Sequence, residues 1–404
     1  MAALTAAQYS RVKGANERVN VACVGVRGRG KNHVEYFGKH PGSVVATVVD
    51  IDQAVGEQAV QHAMKFQSEK PKEAKDLRVM LEDKTIDAVS IATPNHWHAL
   101  ATIWACQAGK DVYCEKPASH NIFEGRKMVE AARKYNRIVQ IGHQSRTTAH
   151  KIRAIELLRE GVIGEVYMAR GLCFKRRKAI GRNEATDIPA GVDYEMWLGP
   201  AEERAFKENR FHYNWHWYWD FGNGDIGNQG VHEMDIARWG LGKTDLPRFV
   251  YSSGGHFISD DDQQTPNTQQ AIFDYDDSQV VFEVRGLLTG GEADMQPNLP
   301  RDNNTVGNTF LGSEGFMTVN AAGFHTYLGE THEPGPSMKY QEDGQYSSEP
   351  HVDNFLAAVK SRNHRDLTCD VLEGHLSAAL CHLANTSYRV QRRLEFDPRT
   401  ETFV

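Results

Sequence analysis

The first part of the chain alternates short apolar runs with longer amphipathic stretches. The apolar runs are rich in β-branched residues and predict strands at residues 19–24, 44–49, 88–92, 112–114 and 138–141. Between them, apolar residues recur with the spacing of one helix face, which predicts helices at 31–39, 53–66, 99–108 and 123–135. Strands that alternate with helices in this way indicate βαβ units, a parallel sheet and right-handed crossovers.

After Gly164 the pattern changes to strands that follow one another without long helices. A helix at 150–160 connects the halves, and strands are predicted at 166–174, 249–253, 270–275, 280–286, 309–312 and 317–320. Polar segments containing glycine and proline predict loops at 298–308 and 331–350, and two helices are expected at 351–360 and 371–392. This order predicts an α+β region built on a large, mostly antiparallel open sheet.

Composition narrows the classes of function. The chain has 404 residues and is 40% hydrophobic, which suits two domains with sizeable cores. No apolar run approaches the ~18 residues of a membrane span. The formal net charge of -7 is spread without a basic block, which argues against a nucleic-acid partner. The six cysteines are scattered without a C-x-x-C pair, so neither a zinc site nor a disulfide framework is indicated.

A glycine-rich turn directly follows the first predicted strand. Its candidate cofactor-binding residues are Gly25, Arg27, Gly28, Arg29 and Gly30. Glycines allow a close approach to a pyrophosphate, and the following helix offers free N–H groups. Asp50 ends the next strand, where a carboxylate can bind a ribose and repel a 2′-phosphate. We therefore expect NAD as the cofactor, with NADP less favoured but left open by the two arginines.

These observations predict an α/β chain with three segments. Residues 1–18 form a leader or arm, 19–143 a Rossmann dinucleotide-binding domain, and 144–404 an α+β domain for substrate binding and oligomerisation. Two motifs follow later strands of the first domain, at residues 93–99 and 114–117. Because ligands bind at the carboxyl ends of parallel strands, we expect cofactor contacts from Thr93, Pro94, Asn95, His98, Glu115 and Lys116. His96 and His98 lack a third ligand at fixed spacing, so no metal is predicted.

Four motifs in this order resemble the Gfo/Idh/MocA family of sugar and polyol oxidoreductases. They are the glycine turn, T-P-N-H-x-H-A at 93–99, E-K-P at 115–117 and G-N-Q-G-V-H-E-M-D at 227–235. The resemblance implies that Lys116 contacts the reacting hydroxyl and the nicotinamide, that His232 exchanges the proton, and that the bond before Pro117 is cis. Alcohol oxidation does need a base and an alkoxide-stabilising group. The expected enzyme is an NAD(P)-dependent oxidoreductase acting on the CH–OH of a sugar, glycoside or cyclitol.

One position departs from the family pattern. Many members carry an aspartate where this chain has Asn228, one helical turn before His232. Asn228 is expected to be a catalytic neighbour of His232 that supplies no charge, so the histidine would be a weaker base. Asp225 and Asp235 could compensate, although an N-cap role is favoured for Asp225. The departure leaves open a glycosidase that uses tightly bound NAD and transient oxidation, and a non-catalytic sugar-binding protein.

Three further stretches could face the sugar: residues 143–146, the basic run at 175–178 and the aromatic run at 211–220. Gln144 and Arg146 follow the fifth strand, and an aromatic run occupies residues 211–220, where an extended chain would place Trp215 and Trp217 on one side and His216 on the other. The basic run at 175–178 is favoured as a solvated loop. The predicted substrate-binding residues are therefore Lys116, Gln144, Arg146, Trp215, His216, Trp217, Asn228 and His232.

Two expectations concern the cell and the assembly. The small, apolar residues at the start are either an ordinary leader or the remainder of an export signal. Their sequence resembles the junction after twin-arginine signals in bacterial members of the family, which implies a periplasmic protein if such a signal was removed and a cytoplasmic one otherwise. The open face of the second sheet needs covering, so a homo-oligomer, either a dimer or a tetramer, is expected.

Overall fold

The first domain is a parallel six-stranded sheet. The computed structural model describes residues 18–297, 304–340 and 348–404. The strands are β1 (Val19–Val24), β2 (Ser43–Val49), β3 (Lys72–Ala74), β4 (Ala88–Ile91), β5 (Asp111–Cys114) and β6 (Val139–Ile141). Their order is β3-β2-β1-β4-β5-β6, and every neighbouring pair is parallel. The predicted Rossmann sheet is confirmed, and its order reverses between β1 and β4, where such sheets bind ligands.

Both faces of this sheet are buried. Along β1, Val21 and Cys23 belong to one apolar core while Ala22 and Val24 belong to another, as strand alternation requires. The helices are α1 (Arg29–Lys39), α2 (Gln53–Ala63), α3 (Leu77–Glu82), α4 (Asn95–Gln107) and α5 (Ile122–Lys134). The sequence pattern missed β3, which is short and largely polar, and α3, whose six residues are too few to show a helical period. Helix α4 begins earlier than predicted, so the 93–99 motif runs into its first turn.

The second domain is built on a ten-stranded sheet. The strands are β7 (Val166–Phe174), β8 (Phe249–Gly255), β9 (Thr268–Asp274), β10 (Gln279–Arg285), β11 (Thr305–Gly312), β12 (Gly315–Asn320), β13 (Gly323–Leu328), β14 (Glu333–Lys339), β15 (Leu394–Asp397) and β16 (Thr402–Phe403). Their order is β14-β13-β12-β11-β7-β10-β9-β8-β15-β16. Strands β7 and β10 pair in parallel and the other registered pairs are antiparallel, which confirms the predicted mostly antiparallel sheet.

The two predicted loops of this domain are corrected in part. Strand β14 lies inside the segment 331–350, and β11 begins inside the segment 298–308. Strand β14 is an edge strand whose residues are mostly exposed, and it contains Pro334 and Pro336. An edge strand without a buried face has the polar, proline-containing composition of a loop. The rest of both segments includes residues 298–303 and 341–347, which lie outside the described residues.

The remaining helices join the two sheets. They are α6 (Ala149–Arg159), α7 (Tyr194–Leu198), α8 (Gly224–Asn228), α9 (Gly230–Gly240), α10 (Glu349–Ser361) and α11 (Val371–Val390). Met234 of α9 and Leu380 of α11 pack in the same apolar core as Phe282, which lies on β10 of the second sheet. Helix α10 instead packs on the first sheet, where the ring centroid of Phe355 lies 6.3 Å from that of Phe37. The chain therefore returns to its first domain near its end.

The structure also bears on the cysteines, on membrane-spanning helices and on the predicted leader. All six cysteines are buried and free in the structure. In the described part of the chain, no helix is long and apolar enough to cross a membrane. The predicted leader at residues 1–18 lies outside the described residues, except for Arg18.

Candidate active site

The glycine turn after β1 is shaped by steric needs of its own. Gly25 has a φ of +73°, and a Cβ placed on it would lie 2.9 Å from the backbone of Ala92. A Cβ on Gly30 would overlap the carbonyl oxygen of Gly25. Gly28 also has a positive φ, of +49°, but nothing lies within 4 Å of the position of a Cβ there. Gly25 and Gly30 therefore serve the packing of the turn, whereas Gly28 keeps one side of it open.

The N-terminus of α1 opens on the same side. Gly28 is its N-cap, and no side chain caps the first turn. The free N–H groups and the positive end of the helix dipole suit an anion such as a pyrophosphate. Arg27, Gly28 and Arg29 all line the adjoining cavity. The residues present therefore fit the phosphate portion of a dinucleotide.

Asp50 lies at the end of β2 beside this turn. Its Oδ2 accepts a hydrogen bond from the backbone N–H of Val26 at 2.8 Å, and its Oδ1 accepts one from Asp52 at 3.0 Å. Burial raises the pKa of Asp50 to about 6, although both backbone donors oppose the rise. The carboxylate lines the cavity and has lone pairs left for the hydroxyls of a ribose.

A single cavity of about 1200 Å³ joins the predicted sites. It runs from the glycine turn past the ends of β4 and β5 to α8, α9 and the second sheet. The predicted cofactor residues that line it are Gly25, Arg27, Gly28, Arg29, Asp50, Thr93, Pro94, Asn95, His98, Glu115 and Lys116. The predicted substrate residues that line it are Lys116, Gln144, Trp215, His216, Asn228 and His232. Most of the residues predicted for the site therefore line one cavity, although they come from distant segments of the chain.

Lys116 connects the two domains inside the cavity. It follows β5, and the peptide bond to Pro117 is cis, as expected. Its Nζ donates a hydrogen bond of 2.7 Å to the backbone carbonyl of Asn228, the last residue of α8. Burial lowers the pKa of Lys116, which the charge of Glu115 opposes and that of Arg29 reinforces.

Glu115 fixes the loop that carries Lys116. Its Oε1 accepts hydrogen bonds from Arg29 at 2.8 Å, from His33 at 3.0 Å and from Gln144 at 3.0 Å. Burial alone would raise the pKa of Glu115, but the charge of Arg29 and the bond from His33 hold it well below its usual value. Arg29 also donates to Ser348, so its guanidinium is already engaged.

His232 lies in the first turns of α9 and faces the cavity. Its Nδ1 is buried and has no hydrogen-bond partner among the described residues. The ring of His143 stands nearly perpendicular to it, with centroids 5.6 Å apart. Burial and the charge of Lys116 place the pKa of His232 well below its ordinary value, so its imidazole is neutral at pH 7.

Asn228 and His232 do not share one continuous helix. Helix α8 ends at Asn228, and α9 begins at Gly230, with Gln229 as the junction. The expectation that the two residues lie one turn apart on a single helix is therefore wrong. Gln229 keeps nearly helical dihedrals, with a φ of -91° and a ψ of -46°, so a helical pattern in the sequence continues across the junction.

The two aspartates that could have compensated for Asn228 are bound to arginines. Arg177 donates to Asp225 at 2.6 and 2.9 Å, and Arg146 donates to Asp235 at 2.8 Å with both Nε and a terminal nitrogen. Asp225 is not an N-cap either, since α8 has Asn223 at that position. Both carboxylates are held in structural ion pairs.

Two predicted substrate residues lie outside the cavity lining. Arg146 is buried between Asp235 and Glu373, and it donates a hydrogen bond of 3.0 Å to Glu373. Trp217 is buried, with the guanidinium carbon of Arg177 5.3 Å from its ring centroid. Neither side chain is placed where a sugar in the cavity can reach it.

The aromatic run is not extended, which corrects the expected alternation of its side chains. Residues Asn214–Trp217 form a short 3-10 helix, closed by a hydrogen bond from the N–H of Tyr218 to the carbonyl of Trp215. The ring of His216 stacks on that of Trp215 with centroids 3.6 Å apart, and both line the cavity. A tight turn thus turns two of the rings toward the substrate space and buries the third.

The cavity also has residues that sequence reasoning did not assign. The solvated-loop prediction is wrong for Lys175, which lines the cavity and donates to Gln229 at 2.9 Å. Lys151 and Glu233 line it too, and burial raises the pKa of Glu233 to about 7 against the charge of Lys151. Glu233 could have been suspected from its place next to His232, whereas nothing in the sequence marks Lys151.

The histidine pair of the 93–99 motif is engaged in hydrogen bonds. A ring nitrogen of His96 lies 3.0 Å from the carbonyl of Trp197, and those of His98 lie 2.7 and 2.9 Å from the carbonyls of Pro117 and Thr93. Over the described ranges, no group of three or more histidine, cysteine or acidic residues could hold a metal ion.

Comparison with family models identifies the chain. Residues 19–143 match the oxidoreductase family model for an NAD-binding Rossmann fold, and residues 152–285 match the model of its C-terminal α/β domain. The chain belongs to the Gfo/Idh/MocA family. Its first domain is therefore the NAD-binding Rossmann domain of a Gfo/Idh/MocA protein, which agrees with the open glycine turn and Asp50.

Individual relatives of this Gfo/Idh/MocA chain match it over part of their length. Levoglucosan dehydrogenase of Pseudarthrobacter phenanthrenivorans is 32% identical over 244 residues, which cover 59% of this chain and 55% of that protein. Glycosyl hydrolase family 109 protein 1 of Shewanella sp. (strain ANA-3) is 31% identical over 154 residues, which cover 37% of this chain and 34% of that protein. The chain thus spans about a half and a third of these two relatives.

The whole fold has counterparts among solved structures. A levoglucosan dehydrogenase in complex with NADH and levoglucosan superposes with a TM-score of 0.71 at 17% identity, covering 94% of this chain and 99% of that one. At this identity the likeness shows that both domains have the Gfo/Idh/MocA fold.

Proposed function

We propose that this protein is an NAD-dependent oxidoreductase that oxidises a secondary alcohol of a sugar, glycoside or cyclitol. One observation carries the proposal: Lys116 and His232 line one cavity, and the other end of that cavity is the glycine turn. The hydrogen bond from Lys116 to Asn228 keeps the two domains together at this point. The name of the levoglucosan dehydrogenase relative agrees with a carbohydrate substrate.

The residues divide the work of alcohol oxidation. The glycine turn, the start of α1 and Asp50 would hold NAD, which when bound supplies a hydride acceptor. His232 is a neutral imidazole and accepts the proton of the substrate hydroxyl. Lys116 directs its ammonium group to the hydroxyl oxygen and stabilises the negative charge that develops there. In the reverse direction the imidazolium of His232 returns the proton.

The cavity wall suits a sugar ring. Trp215 and His216 form a stacked aromatic surface at the cavity, against which the apolar face of a pyranose can pack. Gln144 lines the same space, and its amide nitrogen donates to Glu115 and Tyr113, which leaves its carbonyl oxygen as an acceptor. Apolar faces with a few placed polar groups are typical of small-molecule sites.

A second candidate function is cleavage of a glycosidic bond through transient oxidation by retained NAD. The name of the Shewanella relative favours it. The same Lys116 and His232 would then serve an oxidation that is later reversed, so the cavity alone does not separate the two reactions. Their stoichiometry does, because only the first leaves reduced nicotinamide.

The test is a panel of sugars, glycosides and cyclitols incubated with the full chain and NAD. Stoichiometric NADH together with a ketosugar supports the oxidoreductase. Release of free sugar without net NADH supports the glycosidase. Sugar binding with neither product, in wild type and in a Lys116→Met variant alike, would show a non-catalytic sugar-binding protein.

We also propose that a second copy of the chain covers the outer face of the ten-stranded sheet. Tyr251 and Ile272 lie opposite each other on β8 and β9, and their exposures are 47% and 42%. Large apolar side chains on an open sheet face are typical of interfaces. Light scattering of the wild type and of Ile272→Asp tests this, since the variant should dissociate. A wild-type protein that is monomeric at high concentration would contradict it.

A further inference from the structure

Three lysines line the substrate end of the cavity without a carboxylate partner. They are Lys116, Lys151 and Lys175. Among the described residues, no carboxylate lies within ion-pair distance of any of these ammonium groups. A cation in a partly dry cavity is costly unless an anion balances it. The arrangement therefore calls for more negative charge than the described side chains provide.

Each ammonium group instead donates to a neutral acceptor. Lys151 donates to the hydroxyl of Ser145 at 2.9 Å, and Lys175 to the side-chain carbonyl of Gln229 at 2.9 Å. Lys116 donates to the backbone of Asn228. An ammonium has three N–H donors, so each lysine keeps donors for a ligand.

The nearby acids do not neutralise this set. Glu115 is already matched by Arg29. Asp225, near the start of α8, accepts hydrogen bonds from Nε and from one terminal nitrogen of Arg177. Glu233, only 4% exposed, is the one remaining described carboxylate among the cavity-lining residues of this end, and its single charge is shared between Lys151 and Lys175.

Lys175 is the member of this set best placed to bind a further group. Lys151 is only 7% exposed and Lys116 has the reacting hydroxyl as its expected partner, whereas Lys175 is half-buried. Glu233 acts on Lys175 as well as on Lys151, but it lies beyond ion-pair distance of both ammonium groups. Lys175 follows the last residue of β7 and lines the cavity, where its charge and that of Lys116 repel. An anion bound beside Lys175 would relieve this repulsion.

We infer that the substrate is an acidic sugar, whose anionic substituent is received by Lys175. This rests on the proposed oxidoreductase function and names the class of its substrate. The shared chemistry is a carboxylate, as in a uronic acid, or a phosphate ester. Either would place a negative charge at Lys175 while a ring hydroxyl lies between Lys116 and His232.

The experiment compares matched ligands on the NAD-loaded full chain. Methyl glucoside, methyl glucuronide and the 6-phosphate of methyl glucoside share one ring and differ in charge. Calorimetric binding and NADH formation are measured for each, with wild type and with Lys175→Gln. The control is Lys178→Gln, which removes an exposed lysine of the same basic run outside the cavity lining.

We expect at least one acidic ligand to bind at least about tenfold more tightly than the neutral one, with added salt weakening the difference. Lys175→Gln should abolish the preference, and Lys178→Gln should keep it. Gln229→Glu provides a second variant that retains the lysine but pairs it with a carboxylate, and it should also abolish the preference. Whichever acidic arm prevails identifies the anion as carboxylate or phosphate.

The two proposals fail in different ways. Neutral binding equal to or tighter than both acidic ligands overturns the acidic-sugar inference, and NADH formed from the neutral sugar would leave the oxidoreductase proposal standing. Equal loss of preference in Lys178→Gln also overturns the inference, because general surface charge would then explain it. A preference that depends on Lys175, without NADH from any of the three ligands, supports the anion site at Lys175 and argues against the oxidoreductase.

Discussion

The Nζ of Lys116 donates a 2.7 Å hydrogen bond to the backbone carbonyl of Asn228, and the two residues are 112 positions apart. The bond joins the loop after β5 to the end of α8, immediately before the helix that carries His232. Lys116 uses the main chain of Asn228 and not its amide. The asparagine at this position, where the family resemblance implies an aspartate, therefore leaves this connection intact.

Replacing Lys116 with methionine should reduce kcat by roughly 10²- to 10³-fold, which is the usual loss when a donor to a developing oxyanion is removed. NAD binding should change little, because the glycine turn and Asp50 are separate from the ammonium group. Turnover and NAD titration by fluorescence measure the two effects. Lys178→Met is the control, and an equal loss of NAD affinity in Lys116→Met would assign the lysine to cofactor binding instead.

Gly28→Ala should weaken NAD binding by at least about tenfold. Gly28 has a φ of +49° and an open side at the cavity, so a methyl group there would meet the phosphate and not the protein. The matched control is Gly109→Ala, with a φ of +79° and also no atom within 4 Å. Each variant should lose about 1–3 kcal/mol of stability from backbone strain, but only Gly28→Ala should lose NAD.

The sequence predicted the buried parts of the fold well. The β1 run is apolar on both faces because helices cover both sides of the sheet, and its bounds matched. Strands β3 and β14 were missed because their side chains are largely exposed and carry little hydrophobic signal. The break between α8 and α9 at Gln229 was missed because a helix precedes it and another follows it at once, so the sequence shows no loop there.

The site was predictable where its residues fall in motifs. Lys116 comes from the motif that follows β5 and His232 from the motif at 227–235, and both line the cavity. Lys151 and Lys175 belong to no motif and reach the cavity only through the packing of α6 and β7. The reverse also occurs: Arg146 was predicted to contact the substrate, but the fold pairs it with Asp235 instead of placing it at the cavity. The predicted periplasmic location depends on residues outside the described ranges and stays a prediction.

Asp50→Asn should change the choice of cofactor. The carboxylate at the end of β2 is positioned to repel a 2′-phosphate, so its removal should shift the ratio of NADP to NAD affinity toward NADP by at least about tenfold. Titration of both cofactors measures the ratio. Arg27→Ala in the same background provides a check, since Arg27 lines the cavity and should supply the phosphate contact. An unchanged ratio would mean that Asp50 does not face the ribose.

The same substitution should remove a pH dependence of stability in the cofactor-free protein. Burial raises the pKa of Asp50 from 3.8 to about 6, so this carboxyl favours folding when protonated, and that contribution is lost as the pH rises through 6. An asparagine does not titrate, although it offers one acceptor to the two backbone N–H groups that the carboxylate binds. The unfolding free energy of Asp50→Asn relative to the wild type should therefore gain ~1–2 kcal/mol between pH 5 and pH 7. Urea unfolding at both values tests the sign, and a larger gain at pH 5 would contradict it.

Arg146→Met should destabilise the fold and not weaken sugar binding selectively. The guanidinium is the bidentate partner of Asp235, which is fully buried, so its removal leaves an uncompensated charge and costs about 3–5 kcal/mol. The double variant Arg146→Met/Asp235→Leu should recover part of the loss. Denaturant unfolding measures it, and a normal stability with a raised KM for sugar would restore Arg146 as a substrate contact.

The pH dependence of oxidation should distinguish His232 from its neighbour Glu233. Oxidation needs the neutral imidazole, and because burial and Lys116 depress the pKa of His232 well below 6.5, the acid limb of kcat/KM should lie below pH 6.5. Glu233 has a pKa near 7 and is the group that would otherwise give a limb at neutral pH. Glu233→Gln should leave the limb in place, while His232→Gln should lower kcat by about 10²- to 10⁴-fold. A limb near pH 7 that disappears in Glu233→Gln would make the carboxylate, not the imidazole, the proton acceptor.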